Sequence, residues 1–224
     1  MSNVSNTDSG ERATAEAARI AAGGALRDAL HAFVSAQPEL DVYERVTADS
    51  SALVDALNRA PRRDRMGLMQ AERARSGGVS FPVGVSAGGF NDRAVAGKAN
   101  PGAVDIEVVS DGDEVVADVF FRKGFEGPPG RAHGGIVAAA FDDVTGFIIG
   151  RLGQPAFTGE LTVRYVAAVP IETPIVMRAR LDGQERRKLF ISAEATANGE
   201  VVATCKAIYI TIDPALFAAA PDPR

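Results

Sequence analysis

Tryptophan is missing from this chain of 224 residues, tyrosine occurs three times, histidine twice and cysteine once. Each scarcity closes off a class of protein. The lone Cys205 cannot build an intramolecular disulfide framework and fits a reducing, cytoplasmic setting. With only His31, His133 and Cys205 as soft ligands, no cluster has the spacing of a metal centre, and no metal is expected. Positive charge is not in surplus: 24 Lys and Arg stand against 29 Asp and Glu, a net charge of −5. That balance argues against a nucleic-acid partner, which calls for a basic patch. No apolar run approaches the ~18 residues of a membrane span. The first residues lack the basic start and apolar core of a secretory signal. What is plentiful is hydrophobic residues, at 46% of the chain, enough for one sizeable core or one domain with an extension.

The chain divides in two by composition. Residues 1–11 are polar and read as disordered. From Glu11 to Ala36 the sequence is alanine-rich, with Ile20, Leu26, Leu30, Phe33 and Val34 forming an apolar stripe that needs a surface to bury it. Gly23 and Gly24 weaken this helix by ~1 kcal/mol each against alanine. A second helix is expected over Ser50–Ala60, from Leu53, Val54 and Leu57 at helical spacing, with Pro61 stopping it. His31 reads as a helix-surface residue without chemistry. Residues 1–75 therefore form an N-terminal helical extension. A Gly-, Ser- and Pro-rich stretch from Ser76 to Gly102 enters a second unit, residues 76–216, followed by a tail over 217–224. There Val104, Ile106 and Val108 alternate with acids as a half-buried strand, Ser110–Asp113 reads as a turn, and Glu114–Phe121 returns as a second strand. After one long helix come four β-rich runs, 157–167, 173–183, 188–197 and 200–212, with hairpin signals at Asp182-Gly183 and Asn198-Gly199. Two strands, a helix and four strands predict an α+β fold, an antiparallel sheet wrapped around one long central helix.

The centre of this unit is Gly127-Pro-Pro-Gly-Arg-Ala-His133-Gly134-Gly135, running straight into Ile136–Leu152. The glycines let a ligand approach the backbone, and the free amides of a first helical turn suit a developing oxyanion. At ~100° per residue, Ile136, Val137, Ala140, Phe141, Val144, Phe147 and Ile148 share one arc that should face the sheet. Asp142 falls nearly opposite, among Ala138, Thr145, Gly146 and Ile149, a mostly small face open to a second helix or chain. Asp143 lies at the flank and reads as a solvated charge. Gly134 and Asp142 are ~12 Å apart along one helix, while a base must work within ~3 Å of its proton or through one water. Two antiparallel helices related by a two-fold axis solve this, with Gly134 of one chain facing Asp142 of the other.

Several segments resemble a known family: Phe125-Glu-Gly-Pro-Pro-Gly130, His133-Gly-Gly135 and Asp142, preceded by Gly97-Lys-Ala-Asn-Pro101 and followed by Thr158-Gly-Glu-Leu-Thr-Val-Arg-Tyr165 and Glu185-Arg-Arg-Lys188. In this order they are similar to the acyl-CoA thioesterases of the hotdog superfamily, closest to the phenylacetate-pathway type and the mammalian thioesterase-superfamily members. The resemblance covers about residues 95–212. It implies the hotdog fold, hydrolysis of an acyl-CoA thioester, no cofactor beyond the coenzyme A of the substrate, and a homo-oligomer, either a dimer or a tetramer. It also implies roles. The Gly134 amide would polarise the thioester carbonyl, Asp142 of the partner subunit would act as base or nucleophile, and His133 would orient the loop or the thioester. Thr158 would hold the attacking water, Gly135 would line the substrate site, and Arg164, Arg187 and Lys188 would meet the coenzyme A phosphates. One position departs from the pattern. Some members carry Asn or Gln six residues before the histidine as a second carbonyl contact, and here that residue is Gly127.

Two other functions compete. A hotdog enoyl-CoA hydratase would need a histidine at fixed spacing after Asn100-Pro101, and none follows. A non-catalytic acyl-CoA-binding protein would account for a helical extension beyond what the enzyme needs; release of free thiol from acyl-CoA distinguishes the two.

Overall fold

The computed structural model describes residues 4–64, 67–68, 91–110 and 114–213. Two helices come first, α1 (Val4–Ser35) and α2 (Leu40–Arg59), then strands β1 (Asp105–Ser110) and β2 (Val115–Phe120). A 3-10 turn (Lys123–Phe125) precedes helix α3 (Gly134–Arg151), and β3 (Ala156–Tyr165), β4 (Pro174–Glu185), β5 (Lys188–Ala197) and β6 (Glu200–Thr211) complete the fold. The strands form one sheet in the order β1-β2-β4-β5-β6-β3, every neighbouring pair antiparallel. The expected wrapping of a sheet around one helix is what is seen.

The inner face of the sheet is built from small and branched residues at alternate positions. Ala117, Ala179, Ala195, Ala203 and Ala207 are buried beside Val115, Ile175, Met177, Leu189 and Ile191. Side chains this short let α3 lie close to the strands, and the period of two sends every second residue inward. From α3, Val137, Ala140, Phe141 and Val144 are completely buried, as their shared arc requires. Truncating a residue such as Phe141 to alanine would cost about 3–5 kcal/mol.

The far face of α3 differs from the expectation of an open, small-residue surface. Thr145 is fully buried and Ile149 is 8% exposed. The sheet curls far enough for Tyr209 of β6 to reach Thr145, hydroxyl to hydroxyl, at 2.9 Å. The edge strand β3 is largely uncovered, with no buried residue along it.

The turns divide in the same way. Asn198 and Gly199 take φ values of 51° and 84° and form the two-residue turn that asparagine-glycine favours. Asp182-Gly183, expected to be the other hairpin turn, lies inside β4 at a bulge between Leu181 and Gly183. The Asp182 carboxylate accepts from Ser192 Oγ on β5 at 2.8 Å and holds that segment in the ladder. The turn falls instead at Arg186-Arg187, where Arg186 takes φ 52°. The turn expected at Ser110–Asp113 includes 111–113, which lie outside the described residues.

Helix α1 is already formed at Val4, within the stretch expected to be disordered, and α2 begins at Leu40, ten residues before the start expected at Ser50. Helix α1 docks on the domain mainly through residues outside its apolar stripe. Its apolar residues Leu26, Leu30, Phe33 and Val34 face outward at 36–55% exposure, whereas Gly23, Arg27 and His31 face the domain. At Gly23 a Cβ would meet the backbone carbonyl carbon of Ala99 at 2.6 Å. The residue that weakens the helix is therefore the one that allows its close approach.

His31 is likewise no surface residue. It is 4% exposed, its Nδ1 accepts from the Gly124 amide at 2.9 Å, and its ring meets Phe125 edge-on at 4.9 Å between centroids. Burial, followed by the nearby Arg122 charge, lowers its pKa below 6.5. The unfolded chain then binds a proton that the folded chain refuses. Stability from this contact is complete above pH 6.5 and is lost as pH falls toward the depressed folded value. We expect the thermal midpoint to drop on acidification from pH 7.5 to 5.5 more steeply in the parent protein than in His31→Gln, which keeps an acceptor but does not titrate. Parallel slopes would show that His31 does not couple α1 to the domain.

Candidate active site

The loop entering α3 is determined by its prolines and glycines. Pro128, Pro129, Gly130 and Arg131 form a turn closed by the Arg131 amide donating to the Pro128 carbonyl at 3.0 Å, with Gly130 at φ +74°. Proline second and glycine third is the type II pattern. Glu126 braces the turn: its carboxylate accepts from the Gly130 amide and pairs with Lys123, both at 2.6 Å. Lys123 first, then that amide, holds its carboxyl below the ordinary value. Ala132 and His133 donate their amides to Val169 and Phe125, each at 2.8 Å. His133 therefore arrives at the helix N-cap with its backbone fixed.

The amides of the first turn can be accounted for one by one. Ile136 and Val137 donate to the His133 carbonyl at 2.9 and 3.1 Å. Gly135 donates to Nδ1 of the His133 ring at 3.1 Å, which requires that nitrogen to be unprotonated and places the neutral ring's proton on Nε2. Gly134 is left, with no acceptor for its amide among the described residues. Its carbonyl accepts from the Tyr165 hydroxyl of β3 at 2.5 Å. The anchored histidine thus consumes Gly135 and leaves one donor at the positive end of the helix. Gly127, at the departure from the family pattern, packs against the His133 backbone, where a Cβ would come within 3.1 Å of its Cα.

Two turns further on, Asp142 is half-buried and its Oδ1 accepts from Thr158 Oγ1 on β3 at 2.7 Å. The Tyr209 hydroxyl lies 2.9 Å from the Asp142 carbonyl and 3.4 Å from Oδ1. Asp142 and Thr158 are thus brought together within one chain. Tyr165 and Tyr209 were not singled out by sequence; Tyr209 is a buried strand residue and Tyr165 a half-exposed one, and it is their hydroxyls that reach α3. Burial pushes the Tyr209 phenol well above its usual pKa, so it stays a neutral donor. Burial also pushes the Cys205 thiol up to about 12, which makes it an inert core residue.

The basic residues are not gathered together within one chain. Arg164 pairs in register with Thr204 at the Tyr165 end of β3. Arg187 and Lys188 lie at the other end, where Lys188 pairs with Ile210 and Arg187 Nε donates to the Thr211 carbonyl at 2.9 Å. Asp143 requires a correction. Its side chain is only 19% exposed and faces Arg93 Nη2 at 3.9 Å. Burial raises its pKa, with Arg93 opposing and Asp142 adding to the rise. The loop over 91–104 folds back on α3 and covers the flank that helical angles alone leave open to solvent.

Residues 129–204 match the family model of the thioesterase superfamily. That match lies within the sheet-and-helix domain, whose fold is a hotdog. It is 39% identical over 70 residues to acyl-coenzyme A thioesterase THEM5 of Homo sapiens, covering 31% of this chain and 28% of that protein. To acyl-coenzyme A thioesterase THEM4 of Bos taurus it is 29% identical over 111 residues, 48% of this chain and 46% of the other. The chain thus spans less than half the length of these curated relatives. A crystal structure of a thioesterase superfamily protein superposes with a TM-score of 0.68 at 23% identity, covering 86% of this chain and 94% of its own. That coverage exceeds the hotdog domain alone, so the shared architecture extends into the N-terminal helices. Among the described residues no helix is long and apolar enough to cross a membrane, and no group of His, Cys, Asp and Glu could hold a metal ion.

Removing the Tyr209 hydroxyl strips partners from buried Thr145 and from Asp142. Tyr209→Phe should therefore lower stability by about 1–3 kcal/mol in denaturant titration. A change within ~0.5 kcal/mol, typical of a neutral surface substitution, would mean that these bonds do not hold the helix in place.

Proposed function

We propose that this protein is an acyl-CoA thioesterase whose active sites are each shared between two copies of the chain. The observation that carries the reading is the contrast along α3: a spare amide at Gly134, and, two turns away, a carboxylate at Asp142 held by Thr158. Both face the uncovered edge strand β3. A two-fold pairing of β3 edges would set Asp142 of one copy opposite Gly134 of the other. The same operation would carry Arg164 toward the partner's Arg187 and Lys188, assembling cations suited to the coenzyme A phosphates. Exposed Phe157, Tyr165 and Val166 supply apolar area for such a contact.

In the reaction the thioester carbonyl oxygen accepts from the Gly134 amide, which steadies the negative charge that develops there. Asp142, oriented by Thr158, takes a proton from water as its oxygen attacks the carbonyl carbon. The carbon–sulfur bond breaks, and coenzyme A leaves as the thiol with that proton. Direct attack by the carboxylate would give an anhydride that water then opens, and trapping with labelled water separates the two routes. His133 serves through its cap on Gly135, keeping Gly134 unspent. The free acid and coenzyme A are the products, and the chemistry calls for no further cofactor.

Release of free thiol from acyl-CoAs between acetyl and palmitoyl length tests the activity directly. Tight binding without release would favour a non-catalytic acyl-CoA sensor instead. Asp142→Asn should lower kcat by on the order of 10²–10⁴, with a smaller loss in Asp143→Asn, which faces Arg93 rather than Thr158. The shared site has its own test. Gly134→Pro removes the amide hydrogen at a helix position that accepts proline, and Gly134→Ala controls for crowding against Tyr165. Gly134→Pro and Asp142→Asn should each be inactive alone. Equal mixing with subunit exchange should restore about a quarter of the parental rate, since about half the dimers are mixed and each has one intact site. Absence of recovery, with exchange verified, would place each site within a single chain.

A further inference from the structure

Arg27 of α1 is a charged residue inserted into the domain, 9% exposed. Its Nη1 meets the Asp105 carboxylate at 3.1 Å. Its Nη2 donates to three carbonyls of one bend, Gly97 at 3.2 Å, Lys98 at 3.1 Å and Asn100 at 2.8 Å. Two residues of that bend hold the next. The Gly97 amide and the Asn100 side-chain amide both donate to the Arg93 carbonyl, at 3.2 and 3.1 Å. The Arg93 guanidinium lies 4.6 Å from the centre of the Phe147 ring on α3 and 3.9 Å from Asp143 Oδ2. Asp143 is the residue next to Asp142.

We propose that Arg27, Arg93 and Asp143 are positioning residues for Asp142, so that the N-terminal helix sets the geometry of the catalytic helix through the 91–104 loop. This inference rests on the thioesterase reading above. The contacts run without a gap: Arg27 fixes the bend, the bend fixes the Arg93 backbone, and Arg93 supplies the only cation facing the buried Asp143 carboxylate among the described residues. On α3 itself the other charge facing Asp143 is Asp142. Without Arg93 two adjacent carboxylates would share one partly buried site, and their repulsion would move the side chain that must meet water and Thr158. Gly23 belongs to the same device. One helical turn before Arg27, it lets α1 sit on Ala99 closely enough for the guanidinium to reach the bend.

The test compares kcat and KM for the best-hydrolysed acyl-CoA in the parent, Arg27→Lys, Gly23→Ala, Asp143→Asn and the Arg27→Lys/Asp143→Asn double variant. Lysine keeps the charge but loses the fork that spans Asp105 and the carbonyls. Arg27→Lys and Gly23→Ala should each lower kcat by roughly 10-fold through misplacement, with KM changed less than about two-fold if binding is spared. In the Asp143→Asn background, Arg27→Lys should cause little further loss, because the relay is already cut. Independent, multiplicative losses, or an unchanged kcat in Arg27→Lys, would overturn the proposal. If Arg27→Lys does not fold, Gly23→Ala and its double variant with Asp143→Asn carry the same cycle. If the parent hydrolyses no acyl-CoA, the thioesterase reading fails and the relay is judged by carboxyl-carbon NMR. The Asp143 titration midpoint should rise in Gly23→Ala as Arg93 withdraws, and an unmoved midpoint would overturn the relay.

Discussion

The structure turns on how one histidine caps one helix. His133 uses its carbonyl for two amides and its ring for a third, and what it leaves over is the Gly134 amide. A serine or aspartate at this N-cap would also satisfy an amide of the first turn. The histidine is packed by a glycine on either side: a Cβ at Gly127 would come within 3.1 Å of its Cα, and one at Gly135 within 3.2 Å of its ring. The loop glycines therefore serve packing around the histidine as much as access for a ligand. Gly134 is confined from the other side by Tyr165, so its amide is held in place by β3.

The fold is legible in the sequence wherever a local pattern has a local cause. Pro129-Gly130 and Asn198-Gly199 specify their turns through φ alone, and alternation marks the strands because one face of the sheet is buried on α3. The error at Asp182-Gly183 shows the limit of that logic. The same two letters that close a hairpin also make a bulge, and a hydrogen bond to Ser192 on the next strand decides between them. Asp142 and Thr158 could be named from family resemblance, and the long reach of Gly134 from Asp142 from helix rise.

What could not be read depends on contacts between residues distant in sequence. Arg27 finds its partners 70–78 positions away and His31 finds Gly124 93 positions away. Helical periodicity assigns polar residues to solvent because burying them is costly unless they are paired, and the pairing is invisible locally. The polar row through which α1 docks was consequently not foreseen. Asp143 was misplaced for the same reason, its covering loop lying about 50 residues upstream.

That α1 docks through a glycine, an arginine and a histidine also determines what the docking can do. A buried guanidinium gains little net stability over an apolar residue of similar size, but it tolerates few alternative geometries, since a misplaced charge is left uncompensated. Gly23, Arg27 and His31 are spaced four residues apart and so lie along one helical row, ~12 Å from first to last. The first two grip the 97–105 bend, which leads through Arg93 to the Asp142 end of α3. The third grips the 3-10 turn that opens the loop to His133. A rigid helix holding both fixes the distance between them. An apolar face on the same helix could slide by a turn and still bury comparable area. The polar row cannot, and this is what would let a helix outside the hotdog domain constrain the proposed site within it.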